Sequence, residues 1–151
     1  MKGITKTRVA IAAVGLAAAS SGAGAFVLPA VASASSSVHT LTFTAVQQKS
    51  VNFSATTSAN ADNDLNSAGK IVGFDVLYIV FNPKTETALG HVTLDTAGGL
   101  LYGTVAFNSG PTGHGTVTGG TESFTGATGT ITARNLNKSG SRAAVTITHT
   151  R

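Results

Sequence analysis

The sequence predicts an all-β domain, and closure of its strands into a barrel is the arrangement that best fits its composition. After residue 35 no long apolar run has helical period. Short segments of strand character recur there at regular intervals, separated by turn-forming residues. The 151 residues include no cysteine, so stability must come from burial and hydrogen bonding. A closed barrel supplies both because it leaves no strand edge unpaired.

The first 34 residues have the pattern of a secretion signal. Lys2, Lys6 and Arg8 precede an apolar segment over residues 9–19, and residues 32–34 give the small-x-small pattern for cleavage before Ser35. The alternative is a membrane anchor, but the apolar segment is shorter than the roughly 20 residues that a spanning helix needs. We therefore predict a signal peptide over 1–34, one barrel domain over 35–151, and a secreted protein without membrane contact.

Charge argues against a nucleic-acid partner. Of the ten basic residues in the chain, three belong to the predicted signal, which leaves seven basic against six acidic residues in the predicted mature domain. No basic patch interleaved with aromatic residues remains, so nucleic-acid binding is not expected. Phosphate-cradling loops, dinucleotide fingerprints and nucleophile elbows are also absent from the sequence.

Eight segments have strand character. The first alternates sharply, with His39, Leu41, Phe43 and Ala45 on one face and threonines on the other. The second is short and weak, and the polar residues that follow it are expected to form a loop. Turn residues separate most of the others. The eight predicted strands are 38–47, 51–56, 71–81, 88–95, 100–108, 115–119, 129–135 and 143–150.

The third predicted strand, 71–81, is apolar on both of its faces. Either another subunit covers its outer face, or a loop of the same chain packs over it. The first interpretation predicts a homo-oligomer, and the second predicts a monomer.

A glycine-rich stretch joins the sixth and seventh predicted strands. It reads Gly-Gly-Thr-x-x-Phe-x-Gly-Ala-x-Gly over residues 119–129. Glycines between β-branched runs indicate a tight turn or a close backbone approach, so the stretch is expected to form a corner that tucks its aromatic residue inward. The residues that carry the pattern are Gly119, Gly120, Phe124, Gly126, Ala127 and Gly129.

This stretch resembles the glycine motif of the dirigent and allene oxide cyclase families, and the resemblance extends more weakly over residues 69–150. Two positions depart from that motif: Glu122 stands where glycine is usual, and Thr128 stands where dirigent proteins usually have arginine. The resemblance implies an eight-stranded antiparallel closed barrel with an internal pocket, assembled as a trimer or dimer through its outer faces. The catalytic glutamate of allene oxide cyclases has no match within 38–56, which argues against the same cyclisation.

Asp75 is the candidate catalytic residue. It lies among apolar residues in the strand 71–81, where a carboxyl group that points into a barrel would be desolvated. Desolvation raises the pKa of a carboxyl group, which is the condition that acid–base chemistry at neutral pH requires. In the resemblance, Gly73-Phe74-Asp75 falls where allene oxide cyclases have a pocket-lining cysteine, and only the inward direction carries over. The alternative is a buried structural aspartate.

Tyr78, Tyr102 and Phe43 are the candidate ligand-binding residues. A tyrosine has an apolar body and a polar tip, which suits the rim of a small-ligand pocket. Tyr78 lies on the strand face opposite Asp75, so the two cannot both point inward from a regular strand. Packing in the core or at an interface is the alternative for both tyrosines.

The sequence predicts no metal site and no cofactor. His39, His91, His114 and His149 show no metal-ligand spacing, although His39 and His149 would be neighbours if the first and last strands pair. The polar residues 62–66 resemble a calcium loop, but its glycine is displaced and its closing glutamate is absent. A solvated loop, with residues 51–69 able to fold over a barrel mouth as a lid, is the preferred interpretation there.

Three functions are compatible with these features. The first is a ligand barrel that binds an apolar small molecule and steers its coupling or cyclisation by orientation and exclusion of water. The second is a carrier barrel without catalysis. The third is a structural extracellular protein whose barrel is filled by side chains.

Overall fold

The protein forms a closed barrel of eight antiparallel strands, seen in a computed structural model that describes residues 36–108 and 110–151. Each strand pairs with its neighbours in chain order, and the last strand closes the barrel against the first. The predicted fold class is therefore confirmed, whereas the predicted signal peptide lies outside the described residues. The strands are β1 (Val38–Asn52), β2 (Thr57–Leu65), β3 (Ile71–Asn82), β4 (Thr87–Thr96), β5 (Gly99–Asn108), β6 (Thr112–Gly120), β7 (Thr128–Asn135) and β8 (Arg142–Thr150).

The second strand differs from the prediction. Residues 51–56, expected to be the second strand, are the end of β1 and the turn after it, while β2 contains most of the expected polar loop 62–66. The solvated loop over residues 62–66 and the lid over residues 51–69 were therefore wrong predictions for this segment. The physical reason is the hydrogen-bonded ladder: β2 pairs with β1 on one side and with β3 on the other, so its backbone is satisfied although its side chains are polar.

Inward-facing apolar side chains from alternate positions of the strands form the core of the barrel. Leu94, Leu101 and Ile147 are completely or almost completely buried, and Phe43 lies among them. Full burial of such a side chain stabilises the fold by about 1.5–3 kcal/mol each. Because the chain has no disulfide, this packing and the closed ladder of strand pairs hold the barrel together.

The glycine motif forms the predicted corner. A short 3-10 turn over Glu122–Phe124 carries Phe124 into the core. Gly120 must lack a side chain, since a Cβ atom there would lie 2.4 Å from the Leu100 carbonyl oxygen and 2.4 Å from Phe124 Cβ. Glu122, which replaces a glycine of the motif, has a φ of 49°. The motif therefore has glycine at this position because the turn needs a left-handed residue.

The barrel has two distinguishable ends. The glycine-motif end carries the turns 66–70, 97–98 and 121–127, and the opposite end carries the turns 53–56, 83–86 and 136–141. Neither end adds a helix that could cross a membrane: none within 36–108 and 110–151 is both long and apolar enough.

The outer face of β3 is an exposed apolar ridge. Its five outward-pointing side chains are 40 to 54% exposed, and Phe53 from the neighbouring turn packs against one of them with ring centroids 6.2 Å apart. No loop of the described chain covers this ridge. We call it the outer β3 ridge; its members are Val72, Phe74, Val76, Tyr78 and Val80.

Candidate functional site

The inner face of β2 places carboxyl groups inside an otherwise apolar barrel. Ser58, Asn60, Asp62 and Asp64 occupy alternate positions of this strand, and all point inward because strand side chains alternate between the two faces. On the neighbouring strand Asp75 lies directly opposite Asp62, while Asp64 lies opposite Gly73. Three carboxyl groups from two paired strands therefore share one region of the interior.

These carboxyl groups have little access to water or to hydrogen-bond donors. Asp64 is 0% exposed and Asp75 is 8% exposed. Within the described residues, no N–H or hydroxyl group donates to either oxygen of Asp64 or to Oδ1 of Asp62. The group that can donate to Asp64 is the carboxyl group of Asp75 when it is protonated.

Burial determines the protonation states of the pair. Burial raises the pKa of Asp75 to about 8, and the charges of Asp64 and Asp62 and the hydrogen bond to Asp64 add to the effect. Burial also raises the pKa of Asp64 to about 6, although the hydrogen bond from Asp75 opposes that change. At neutral pH Asp75 is therefore mostly a neutral acid, and Asp64 is the carboxylate that accepts its proton in a hydrogen bond.

Asp75 faces a central cavity of about 70 Å³. Asp62, Asn60 and Phe43 line the cavity as well, and the remaining wall is mainly aliphatic. The cavity adjoins a wider mouth of about 370 Å³ at the opposite end of the barrel. Polar side chains surround that mouth, where Gln47 Nε2 donates to Asn60 Oδ1 over 3.3 Å. An apolar cavity of about 150 Å³ holds one benzene molecule, so a ligand of that size would occupy the central cavity together with its mouth, with the Asp75 carboxyl group against its inner end.

The structure brings two of the predicted site residues together and separates the other two from them. Asp75 and Phe43 both line the central cavity. Tyr102 points to the outside of the barrel, because its neighbours Leu101 and Gly103 occupy inward positions. Tyr78 also points outward, because Asp75 and Leu77 occupy the inward positions of its strand. Neither tyrosine lines the central cavity or its mouth, and their role at the rim of a ligand pocket stays a prediction.

Asp62 and Asp64 are functional candidates that the sequence analysis missed. Their signal in the sequence is the period-2 run of polar residues at 58, 60, 62 and 64. That run is polar on its inner face, whereas the usual pattern of a half-buried strand has apolar residues inside. The run was therefore interpreted as a loop.

The histidine pair lies where strand closure predicts it. His39 is paired with His149 across β1 and β8, and their rings stack with centroids 5.5 Å apart. Burial lowers the pKa of His149, helped by the nearby His39 and Arg151. Among residues 36–108 and 110–151, no group of three or more His, Cys, Asp or Glu residues is placed to hold a metal ion.

Comparison with known proteins identifies the fold. No protein-family model matches the chain, and no curated protein matches it in sequence. Several solved structures are similar. Among them, a pyocyanin demethylase, at 16% identity and TM-score 0.59, covers 74% of this chain and 99% of its own. A pterocarpan synthase dirigent protein, at 16% identity and TM-score 0.62, covers 77% of this chain and 89% of its own. The chain thus has the dirigent-like barrel fold, as the glycine motif predicts.

Proposed function

We propose that this protein is a secreted ligand barrel that binds a small apolar molecule in the central cavity and its mouth and steers the coupling or cyclisation of that molecule. One observation carries the proposal: the Asp75 carboxyl group, which is 8% exposed, faces a mainly apolar cavity, and no N–H or hydroxyl group of the described residues donates to the neighbouring Asp64. Burial raises the pKa of Asp75 to about 8, which favours its neutral form at neutral pH. A fully structural aspartate would be expected to have its oxygens bonded to backbone N–H groups. Asp64 has none of these partners within the described residues.

The proposed role of Asp75 is that of a hydrogen-bond donor and general acid. A neutral carboxyl group has a single O–H, so on ligand binding Asp75 turns this donor from Asp64 to an acceptor oxygen of the ligand, such as a carbonyl, and stabilises negative charge that develops there. Asp64 holds Asp75 in the neutral form, and the apolar wall excludes water and fixes the orientation of the ligand. The ligand class is therefore an apolar molecule with one acceptor group.

The structural neighbours agree with this class of function. Their names denote a demethylase and a synthase, and both therefore act on small organic molecules. At 16% identity these names give no substrate for this chain. The route by which the protein reaches the cell exterior is part of the proposal and rests on the signal pattern of residues 1–34.

A matched pair of probes tests the proposal. Acetophenone carries an acceptor oxygen, whereas ethylbenzene has a similar shape and no acceptor. Amide chemical shifts of Val92, Val105 and Ala143, which line the cavity, report occupancy in NMR titrations of the full chain. We expect acetophenone to bind more tightly than ethylbenzene at about pH 6, and this preference to disappear as pH rises past the pKa of Asp75 at about 8.

Two substitutions separate the chemistry of Asp75 from its shape. Asp75→Asn keeps a donor at every pH, so its preference for acetophenone should persist at high pH. Asp75→Leu removes the donor and should abolish the preference at every pH. Equal binding of the two probes by the unchanged protein would contradict the proposed donor role, and absence of binding by any apolar probe would favour a barrel filled by its own side chains.

A further inference from the structure

A second pocket lies at the glycine-motif end of the barrel, apart from the central cavity. Its volume is about 320 Å³, and Phe43 is the residue that its lining shares with the cavity. The strand register explains why the wall opens here. Pairing between β1 and β2 begins at Thr44 and Leu65, so the first residues of β1, up to Phe43, pair with β8 alone.

The lining of this pocket is apolar with one buried carboxyl group. Leu41, Phe43, Val72 and Leu94 contribute apolar surface, as does Phe124 from the glycine motif. Asp64 is the one residue of the lining with a charged side chain. Lys70 and Asp95 belong to the adjoining surface groove and not to this pocket.

Within the described residues, at least one oxygen of Asp64 has no hydrogen-bond donor. The single acid proton of Asp75 can satisfy one of the two Asp64 oxygens, and no N–H or hydroxyl group of the described residues donates to either. Gly73 leaves space beside the carboxylate, since a Cβ atom at this position would lie 3.3 Å from Asp64 Oδ2. A buried acceptor without a donor is costly, so a ligand that supplies the donor is stabilised there.

The two compartments therefore offer opposite chemistry. Asp75 can turn its single O–H to a ligand in the central cavity, while Asp64 keeps an acceptor oxygen for the pocket at the glycine-motif end. The geometry points to a second ligand site at that end, which takes a small apolar molecule with a hydrogen-bond donor, a phenol or a protonated amine, bound to the Asp64 carboxylate. This inference goes beyond the proposed function. The two can be tested separately, because the second site lies in a different cavity and takes a ligand with a hydrogen-bond donor instead of an acceptor.

Another matched pair of probes tests the second site. p-Cresol has a hydroxyl donor, whereas 4-methylanisole carries a methyl group in its place, and benzylamine tests the cationic case. Leu94, Gly98 and Phe124 report on this pocket, and residues of the central cavity report separately. In NMR titrations of the full chain, p-cresol and benzylamine should shift the first set of amides and bind about tenfold more tightly than 4-methylanisole, because a hydrogen bond to a carboxylate is charge-assisted.

Variants decide whether Asp64 is responsible. Asp64→Asn should weaken benzylamine and p-cresol binding by about tenfold, whereas Asp95→Asn, which removes an exposed carboxylate at the same end, should leave it unchanged. Should Asp64→Asn fail to fold, Ala97→Phe fills the pocket from an exposed turn residue, leaves Asp64 in place, and should block binding.

Three results would overturn the second site. They are equal affinity for p-cresol and 4-methylanisole, unchanged binding in Ala97→Phe, and shifts confined to the central cavity. Each leaves the acetophenone experiment unaffected, so the two proposals fail independently.

Discussion

Asp64 and Asp75 are the buried carboxyl groups on which the proposed function depends, and they also make the stability of the barrel depend on pH. Burial raises the pKa of both groups above the ordinary value for an aspartate, with Asp75 reaching about 8. The folded state therefore holds protons that the unfolded state has lost in that range. By linkage, the contribution to stability is complete below the unfolded pKa near 4 and is lost as pH rises through about 8.

Asp75→Asn should remove much of this dependence. Urea unfolding of the unchanged protein should give a free energy of unfolding that falls between about pH 4 and about pH 8. The variant should show a shallower fall, because the asparagine does not titrate. Asp95→Asn, at an exposed position, serves as the control and should keep the full slope. A variant slope as steep as that of the unchanged protein would assign the dependence to other groups.

Glu122 departs from the glycine motif, and this departure is expected to lower the free energy of unfolding. Its φ of 49° lies in the left-handed region, which costs a residue with a side chain about 1–2 kcal/mol. Glu122→Gly should therefore raise the free energy of unfolding by about 1 kcal/mol in urea titrations. Glu122→Ala removes the charge but keeps the Cβ atom, and a gain as large as that of the glycine variant would show that charge, not backbone strain, is the cause.

At the scale of elements, Gly129 fixes how β7 approaches β8. A Cβ atom on Gly129 would meet the Thr148 carbonyl oxygen at 2.0 Å and the His149 Cα atom at 2.7 Å, both of them backbone atoms of the paired strand. Neither atom can move without bending the barrel wall. Close packing of this kind leaves no alternative residue at the position.

Gly129→Ala should therefore lower the free energy of unfolding by about 1–3 kcal/mol, the range for an over-packed site. Gly110→Ala is the matched control, since its Cβ atom would lie 3.8 Å from the Asn108 carbonyl oxygen, an ordinary contact. Thermal unfolding of both variants measures the difference. A drop in melting temperature for Gly110→Ala as large as that for Gly129→Ala would contradict the close-approach explanation.

The strands that follow an apolar pattern were predictable from the sequence, and the polar one was not. β3, β7 and β8 each begin or end within one residue of the predicted bounds, because apolar and β-branched residues mark them. β2 was not predicted, because its inner face holds the polar residues Asn60, Asp62 and Asp64. Its backbone hydrogen bonds are made with the neighbouring strands β1 and β3, which the sequence pattern of β2 does not show. The same polar pattern concealed two of the three carboxyl groups of the site. The inward direction of Asp75 was implied by the resemblance to allene oxide cyclases, because a strand that is apolar on both faces does not show which face is inside.

At the scale of the whole molecule, the outer β3 ridge is an apolar surface that packing within the single barrel leaves exposed. Soluble monomers rarely expose large contiguous apolar patches, and those that exist often mark interfaces. The ridge is continuous along β3 and uncovered by any described loop. It supports the proposal that this face joins copies of the chain in a trimer or dimer.

Val76→Glu, at the centre of the ridge, should dissociate the oligomer because it buries an unpaired charge in the interface. Thr132→Glu is the matched control: Thr132 is an exposed position on β7, four strands from β3. Sedimentation equilibrium should give a multiple of the subunit mass for the unchanged protein and for Thr132→Glu, and a single-subunit mass for Val76→Glu. A single-subunit mass for the unchanged protein at high concentration would contradict the assembly.

The central claim is that the barrel interior holds a small molecule, and native mass spectrometry tests it most directly. The protein, purified gently from a secreting host, should retain an additional small mass that denaturation in organic solvent releases. Asp75→Leu should retain less of it, because the donor that faces the cavity is gone. A bare protein that also takes up nothing from a panel of apolar compounds would contradict the claim and would indicate a barrel filled by its own side chains.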